Sequence, residues 1–361
     1  KKGEETQKAL DELTRQLKPS SIQPQISLPN AAKAAPATKG TMAPAPYKLG
    51  DPVATREAFG AALLALGEAN SLVVALDADV KNSTYSDKFG KRFPDRFLEN
   101  FIAEQNMLGA AAGIAACGKI PFVATFAAFF TRAYDFIRMA AISQSNMKLV
   151  GTHVGVSIGE DGPSQMGLED LAMMSTQPGV TVLYPSDGLS MYRLMESAAA
   201  HKGMVYLRAG RPKTPVIYGA DETFRIGGSK VLRQSAADQL TIVAAGVTLF
   251  EALKAHDQLK AAGIATRVVD LYSIVPVDQA TLLDCARATG GRFLTVEDHY
   301  AHGGIGDAVL SALASEGVRV RKLAVREIPH SGKPEELVDH FGIGVRSIVE
   351  AAKEIASTAT R

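Results

Sequence analysis

The sequence predicts an α/β protein with two consecutive three-layer α/β domains, each containing a mostly parallel sheet, preceded by a helix and an extended linker. Two observations predict this class. Short, nearly continuous apolar runs alternate with segments of helical periodicity, and strands that are apolar on both faces are typical of parallel sheets covered by helices on both sides. A stretch at 211–234 that contains prolines and a glycine pair then separates two series of such runs. We therefore divide the chain into residues 1–50, 51–215 and 216–361.

The first 50 residues contain a predicted helix and a predicted linker. Residues 1–18 are rich in charge and place Leu10, Leu13 and Leu17 at helical spacing, and Pro19 ends this helix. Residues 19–50 are rich in proline, alanine, serine and threonine, with few large apolar side chains. This composition is typical of an extended linker that could wrap over a surface.

The two domains are predicted from their apolar runs. In the first, a helix at 53–69 has an apolar side that includes Phe59 and Leu63, and a second helix at 106–117 is dominated by alanine and glycine. Its predicted strands are 72–76, 122–126, 148–154, 181–184 and 204–207. The second domain has predicted strands at 240–244, 265–270, 292–297 and 318–325, and predicted helices at 248–262, 278–288, 304–315, 334–340 and 345–356.

Composition argues against several classes of protein. The formal net charge of +1 gives no electrostatic reason to bind nucleic acid or an anionic membrane, and no apolar run approaches the ~20 residues of a membrane span. Cys117 and Cys285 are far apart and lie in apolar helical patterns, so we predict no disulfide framework and a reducing, cytoplasmic compartment. Because the chain has no signal peptide and does not begin with Met, we expect a processed, cleaved or truncated product.

Glu104 lies in a mostly apolar frame, after Phe101, Ile102 and Ala103 and before the alanine- and glycine-rich helix. Its position alone favours a structural interpretation, in which a glutamate at a helix N-terminus faces the helix dipole. The alternative is a functional carboxylate at the end of a buried strand.

An aromatic cluster follows at 122–130, with Phe126 and Phe129 near the end of a predicted strand. Such clusters usually belong to the core. The carboxyl end of a strand in an α/β sheet is also where ligand crevices form, so these rings could line a binding site.

The loop at 153–165 gathers His153, Asp161 and Gln165 on a backbone rich in glycine. A single histidine is more often structural, but this group of polar side chains at a strand end is typical of a ligand-binding loop. The stretch 155–159 also fits the Gly-x-Ser-x-Gly elbow of serine hydrolases. That elbow passes directly into a helix, whereas Gly162 and Pro163 follow here, so the hydrolase interpretation is weak.

Phosphate groups are bound by arginine or by backbone amides. The candidates here are Arg56 at the start of a helix, Ser83 after a strand, and Arg208 or Arg211 after another strand. Taken singly, each arginine would more often be only a solvated surface residue.

Residues 297–306 combine Glu297, Asp298, His299 and a glycine pair between a strand and a helix. The spacing fits no common zinc pattern, and the glycines do not form a dinucleotide-binding motif. We therefore predict a structural role for this segment and no metal site.

Three segments resemble transketolases, in order and in spacing: Ile-Ala-Glu-Gln-Asn at 102–106, the aromatic cluster, and the loop at 153–165. The resemblance implies a pyrimidine-binding domain at 51–215 and a transketolase C-terminal domain at 216–361, closest to the animal type. It implies that thiamine diphosphate is the cofactor. Glu104 would hydrogen-bond the aminopyrimidine ring, Phe129 would stack on it beside Phe126, and Asp79 would also contact the cofactor.

The same resemblance implies roles in substrate binding. His153 and Gln165 would contact the substrate near the reacting carbons, His153 with a catalytic role, and Asp161 would accept a hydrogen bond from a sugar hydroxyl. Phosphate would be bound by Arg56, Ser83 and Arg211, with Arg211 preferred to Arg208. The segment 297–306 would support contacts in a dimer.

The family's motif for magnesium and diphosphate, Gly-Asp-Gly with an asparagine about 30 residues later, does not occur in this sequence. We therefore expect Mg²⁺ and diphosphate binding to come from an N-terminal domain or subunit, and the isolated chain to be inactive without it. The predicted reaction transfers a two-carbon ketol group from a ketose phosphate to an aldose phosphate, as in the pentose phosphate pathway. The alternatives are a component related to deoxyxylulose-phosphate synthase or to 2-oxo acid dehydrogenase E1 beta, and a non-catalytic remnant that dimerises or binds a partner.

Overall fold

The computed structural model describes residues 3–17 and 37–357. They belong to two compact units, Lys1–Pro36 and Ala37–Arg361. In the first unit, helix α1 covers Glu4–Gln16, which confirms the predicted N-terminal helix. Acidic residues in its first turn and Arg15 in its last turn suit the helix dipole. The part of the predicted linker at 18–36 lies outside the described residues.

The second unit contains all the strands of the described chain, which alternate with helices. The strands are β1 (Pro52–Ala54), β2 (Val73–Asp77), β3 (Phe97–Glu99), β4 (Ile120–Phe126), β5 (Lys148–Thr152), β6 (Thr181–Leu183), β7 (Val205–Arg208), β8 (Lys213–Pro215), β9 (Lys230–Arg233), β10 (Leu240–Ala244), β11 (Thr266–Asp270), β12 (Ser273–Val275), β13 (Arg292–Tyr300) and β14 (Arg319–Val325). The helices are α2 (Thr55–Ala69), α3 (Lys81–Thr84), α4 (Asp87–Arg92), α5 (Glu104–Ala116), α6 (Tyr134–Ile142), α7 (Asp170–Ser175), α8 (Gly188–Ala200), α9 (Val247–Ala261), α10 (Gln279–Ala288), α11 (Ile305–Ala312), α12 (Pro334–His340) and α13 (Val345–Ser357). Short 3₁₀ helices cover Pro94–Arg96, Ala127–Ala133 and Val156–Asp161.

Two mostly parallel sheets organise these elements. The seven-stranded sheet has the order β12-β6-β7-β5-β4-β2-β3, and the five-stranded sheet has the order β14-β13-β10-β11-β9. Within these two sheets, all neighbouring pairs are parallel except β12 with β6 and β9 with β11, and β1 and β8 form a separate antiparallel pair. Central strands such as β2, β5 and β10 are buried along their whole length, because helices cover both faces. The predicted α/β class with mostly parallel sheets is therefore confirmed.

The two halves of the second unit share a strand. β12 lies late in the chain, yet it extends the first sheet, with Ser273 opposite Leu183 and Val275 opposite Val182. One apolar core also spans both sheets, since it includes Val123 of β4 and Phe293 of β13. The predicted boundary between 215 and 216 therefore stays a prediction, as does the boundary at 50.

The short elements were absent from the sequence-based assignment. The strands β1, β3, β8 and β12 have three residues each, too few to show a periodic pattern. The aromatic cluster leads from β4 into α6 through the 3₁₀ helix Ala127–Ala133. Within the described residues, no helix is both long and apolar enough to cross a membrane.

Candidate active site

The candidate site lies where four neighbouring parallel strands end. β7, β5, β4 and β2 are adjacent in the seven-stranded sheet, and their registers place Phe126 beside Thr152 and Gly151 beside Arg208. Because parallel strands end at the same edge, the loops that follow them come together. These loops carry most of the residues selected from the sequence.

His153 is the centre of this group. It follows β5 directly, is only 2% exposed, and has a φ of 57°, a value that non-glycine residues seldom adopt. Its ring stacks on Phe126 with centroids 3.7 Å apart, and Phe126 stacks in turn on Phe129 at 5.0 Å. The two phenylalanines therefore form one side of the pocket around the imidazole.

The contacts of His153 define its protonation. Burial, followed by the positive charges of Arg56 and Arg211, lowers the pKa of His153 to about 3, so the ring is neutral at pH 7. Nε2 lies 3.3 Å from Nη1 of Arg56, which can only donate, so Nε2 accepts. Nδ1 then carries the proton and donates to Oγ1 of Thr152 at 2.9 Å. Asp161 Oδ2, 3.9 Å from Nε2, does not form an ion pair with this neutral ring.

Arg56 joins His153 to the loop after β2. Its Nη1 donates to the carbonyl oxygen of Ser83 at 2.9 Å, and its guanidinium lies 5.3 Å from the ring centre of Tyr85. Its Nε is buried without a hydrogen-bond partner in the described chain. Burial lowers the pKa of Arg56 below its ordinary value, although the group stays charged at neutral pH. This arginine therefore keeps unused capacity to donate to a ligand.

Arg211 lies beside Asp161, and its charge contributes to the low pKa of His153. Its Nη1 donates to the carbonyl oxygen of Ile158 at 2.5 Å and lies 3.5 Å from Glu160 Oε2 and 3.6 Å from Asp161 Oδ1. Its side chain is one-third exposed. The structure thus gathers Arg56, His153, Asp161 and Arg211 around one partly open space.

Arg208 has a different environment. It is fully buried, with Nε 2.8 Å from Asp170 Oδ2 and Nη2 3.0 Å from Asp170 Oδ1. Burial by itself raises the pKa of Asp170, but the charge of Arg208 outweighs it and holds that pKa below its ordinary value. Arg208 therefore belongs to a buried ion pair, and the choice of Arg211 as the phosphate ligand stays a prediction.

Glu104 is the first residue of α5 and is 4% exposed. Its Oε2 has no hydrogen-bond partner in the described chain, although Nη1 of Arg132 lies 3.5 Å away. Glu104 begins a helix, as the structural interpretation predicts, but it does not end a buried strand: β3 stops at Glu99 and is not buried, and Phe101 and Ile102 are exposed. Its burial with an unsatisfied acceptor leaves its functional role a prediction. A buried acceptor without a donor is costly, and a ligand N–H group would remove that cost.

The remaining selected residues make other contacts. Asp79 is exposed with a φ of 62°, and its N–H donates to Glu99 Oε1 at 3.0 Å. Gln165 Oε1 accepts from Ser164 Oγ at 2.8 Å. Ser83 contacts Arg56 through its carbonyl oxygen. Their predicted roles toward a cofactor or a substrate stay predictions.

Sequence reasoning missed two residues of the site, Tyr85 and Arg132, and gave a third, Asp298, only a structural role. Tyr85 lies beside Arg56, Arg132 pairs with Glu104, and Asp298 accepts hydrogen bonds from the backbone of the loop at 153–165. Arg132 ends the aromatic stretch and could have been noticed as a charged residue there. Asp298 and Tyr85 have no local sequence signal, because their partners are distant in the chain.

Comparison with known families gives the same assignment over most of the chain. Residues 51–216 match the family model of the transketolase pyrimidine binding domain, and residues 229–348 match that of the transketolase C-terminal domain. The chain belongs to the transketolase family. Transketolase-like protein 2 of Mus musculus is 55% identical over 93% of this chain and 53% of its own length. Homo sapiens transketolase is 53% identical over 87% of this chain and 51% of its own length.

Solved transketolase structures share the fold. A chain described as a split gene transketolase, inactive beta4 tetramer, superposes with a TM-score of 0.77 at 38% identity, covering 85% of this chain and 99% of that one. The transketolase of Campylobacter jejuni shares the fold at 21% identity, with a TM-score of 0.74 over 86% of this chain and 48% of that one. Our chain therefore spans about half the length of the curated relatives that it matches.

Membership of the transketolase family with its pyrimidine binding domain implies that thiamine diphosphate is bound. The residues present fit this group, because Glu104 offers a buried acceptor oxygen without a donor. Among residues 3–17 and 37–357, no group of three or more His, Cys, Asp or Glu side chains is arranged to hold a metal ion.

Proposed function

We propose that this chain is the C-terminal half of a transketolase that transfers a two-carbon ketol group from a ketose phosphate to an aldose phosphate. The observation that carries this proposal is a neutral, buried His153 whose Nε2 accepts from Arg56 and whose pKa is also lowered by the charge of Arg211. A sugar phosphate offers hydroxyl groups to the imidazole and an anion to the arginines. The related thiamine enzymes that use pyruvate have no phosphate on that substrate for Arg56 and Arg211 to bind.

The arginines would bind the substrate phosphate. Ser83 lies beside Arg56, which donates to its carbonyl oxygen. Arg56 and Arg211 both lower the pKa of His153, so the positive charges of both are felt at the same imidazole. A phosphate dianion bound there would receive charge-assisted hydrogen bonds from both. This binding energy, remote from the reacting carbons, would orient the sugar.

His153 would accept a proton or a hydrogen bond from the substrate. Its Nε2 is already an acceptor in the neutral ring, on the side that faces Arg56. A pKa of about 3 makes a weak base, and a phosphate bound to the arginines would offset only the contribution of their charges, which is smaller than that of burial. Substrate binding would thus raise the basicity of His153 in part, while burial would keep the ring neutral and able to accept a hydrogen bond from the substrate. Asp161, beside Arg211, would accept a hydrogen bond from a sugar hydroxyl.

Glu104 would hold the cofactor's aminopyrimidine ring through its free Oε2, with Phe126, Phe129 and Asp79 as further contacts. Thiamine diphosphate, when bound, supplies the electron sink that stabilises a carbanion next to a former carbonyl carbon. The role of Glu104 is to present a carboxylate oxygen, in a site from which water is largely excluded, to an N–H group of that ring.

The site would be completed by another polypeptide or domain that binds the diphosphate and Mg²⁺. The chain spans about half of its curated relatives, and the split gene chain that it covers almost completely is described as inactive. Exposed apolar side chains next to Glu104 support a partner on this face, since Phe101 is 66% and Ile102 67% exposed. We also propose a dimer with a second copy of the chain, and a cytoplasmic location because Cys117 and Cys285 are free.

Calorimetric titration of thiamine diphosphate with Mg²⁺ tests this proposal. We expect tight binding and ketol transfer only when the chain is mixed with a candidate N-terminal half. Tight binding to the chain alone would show that diphosphate and metal are held here after all. Turnover of pyruvate, or binding without turnover of any sugar phosphate, would favour the related thiamine enzymes or the non-catalytic remnant.

A further inference from the structure

The loop that carries His153 is attached to the second sheet by one buried carboxylate. Asp298 lies in β13, is fully buried, and accepts hydrogen bonds from the backbone N–H groups of Val156 at 2.7 Å and Ser157 at 3.1 Å. These residues are 142 and 141 positions away in the sequence. Hydrogen bonds to an ionised acceptor are about twice as strong as those between neutral groups.

Gly155 allows this approach. Its φ is 76°, and a Cβ added to it would lie 2.0 Å from Oδ2 of Asp298. Any other residue would both strain the backbone and displace the carboxylate. The carboxylate and the loop backbone are therefore fitted to one another at a position that tolerates only glycine.

The other end of the loop is held at the same place. The N–H of Gly155 donates to the oxygen of Gly167 at 2.7 Å, and the N–H of Gly167 donates to the oxygen of His153 at 3.1 Å. Nη2 of Arg208 then donates to the backbone oxygens of both Gly167 and Asp298, at 3.0 and 2.9 Å. Both ends of the loop are thus fastened to β13 through Asp298 and Arg208.

The hydrogen bonds of Asp298 and Arg208 to the loop affect the candidate site directly. The loop carries Asp161 and Gln165 and begins at His153, whose positive φ persists only because its surroundings fix it. The attachment of Asp298 begins three residues after His153, so loss of the carboxylate would free the backbone that holds the imidazole against Phe126 and Arg56.

We propose that Asp298 is a positioning residue for ketol transfer, which fixes the substrate loop from the second sheet and so keeps His153 and Asp161 in place. This inference rests on the proposed function of the site. It gives the C-terminal domain a part in the reaction, in addition to the structural role that the sequence predicts for residues 297–306.

The test compares Asp298→Asn with the matched control Asp270→Asn in the complete enzyme, formed by this chain and its N-terminal half. Asp270 is also fully buried in the five-stranded sheet, but it accepts from Tyr218 Oη at 2.5 Å and Ser186 Oγ at 2.8 Å, away from the loop. Both variants replace a buried carboxylate by its amide isostere. They differ in whether the substrate loop loses its anchor.

We expect Asp298→Asn to lower kcat at least tenfold per folded enzyme. The KM for the ketose phosphate should rise by a smaller factor than kcat falls, because Arg56 and Ser83 lie outside the loop, whereas Arg211 donates to Ile158 within it. The control should keep kcat within about twofold. Equal kcat values for Asp298→Asn and the wild type, or equal losses in both variants, would overturn the proposal.

Hydrogen exchange of the chain alone provides a readout that does not depend on turnover. In the wild type, the amides of Val156 and Ser157 should exchange at least tenfold more slowly than that of the exposed Ser164. Asp298→Asn should lower the protection of at least one of these two amides, because asparagine keeps only one acceptor oxygen. Fast exchange of both amides in the wild type would refute the anchor. If protection is found but the complete enzyme has no ketol transfer activity, the proposed function fails while the anchor stands.

Discussion

Glu104→Gln should separate the part that this carboxylate plays in folding from its part in activity. Glu104 is almost completely buried, and its Oε2 accepts no hydrogen bond from the described chain. The nearby charge of Arg132 is 3.5 Å away on a side chain that is 61% exposed, so solvent screens the pair. The negative charge of Glu104 therefore contributes little to the stability of the free chain.

The opposing contributions can be estimated. Losing the screened pair costs about 0–1 kcal/mol, and losing a negative charge at the start of α5 costs about 0.3–1 kcal/mol. An unsatisfied buried acceptor costs about 1–3 kcal/mol, more when charged, and glutamine lowers this cost by removing the charge. The free energy of unfolding should thus stay within about 1 kcal/mol of the wild type, a shift in Tm of at most about 4 °C.

Thermal unfolding of the free chain and turnover of the complete enzyme measure the two effects. We expect nearly unchanged Tm together with a loss of turnover of about 100-fold or more, a usual magnitude for the loss of a group that controls proton transfer. Glu104→Ala should also abolish turnover and leave the chain folded. Wild-type turnover in either variant, or a loss of turnover that only follows the unfolded fraction, would refute the reasoning.

Three further predictions address charge in and near the site. Arg211→Gln should raise the KM for a ketose phosphate about tenfold and change the KM for an unphosphorylated ketose less than twofold. Equal effects of this variant on both substrates would count against a phosphate contact. Arg208→Gln leaves a buried carboxylate unpaired, so it should instead lower the free energy of unfolding by about 3–5 kcal/mol. The carboxylate of Glu160 lies 3.5 Å from Arg211 and would compete with phosphate for its charge, so Glu160→Gln should lower the KM for the ketose phosphate two- to fivefold. Steady-state kinetics at fixed ionic strength measures this change, and an unchanged KM would mean that the two groups do not compete. Burial raises the pKa of Asp270 to about 7, so the folded chain binds more protons than the unfolded chain from about pH 4 to 7, and stability falls as pH rises through that window. When the urea concentration at half-unfolding is measured against pH, Asp270→Asn should show a smaller decrease between about pH 4 and 7 than the wild type. Parallel curves for the variant and the wild type would show that Asp270 is not the group that titrates in this window.

The main strands could be predicted from the sequence because a strand that is buried on both faces gives a nearly continuous run of apolar residues. The run 72–76 is apolar throughout and 240–244 is apolar except for Thr241, and the structure has β2 at Val73–Asp77 and β10 at Leu240–Ala244, with every strand residue buried. The strand β12, with three residues, is too short to give such a run. Its partner β6 lies about 90 positions earlier, and pairing over that distance depends on the tertiary fold.

The site was only partly predictable for the same reason. His153 and Arg56 were selected individually, but their contact joins residues 97 positions apart, and only the resemblance to transketolases related them. Arg208 and Arg211 are three residues apart and look alike in sequence, whereas burial against Asp170 distinguishes them in the structure. Asp298 acts on backbone amides, which no side-chain pattern can reveal.

The strand β12 matters to anyone who wishes to produce the pyrimidine-binding half by itself. A fragment that stops at 215 would lose Ser273 and Val275 and leave β6 with unpaired N–H and C=O groups along an apolar strand. Open strands of this kind recruit other chains and favour aggregation. A soluble fragment would need a substitute for β12, such as a grafted strand or charged residues on β6.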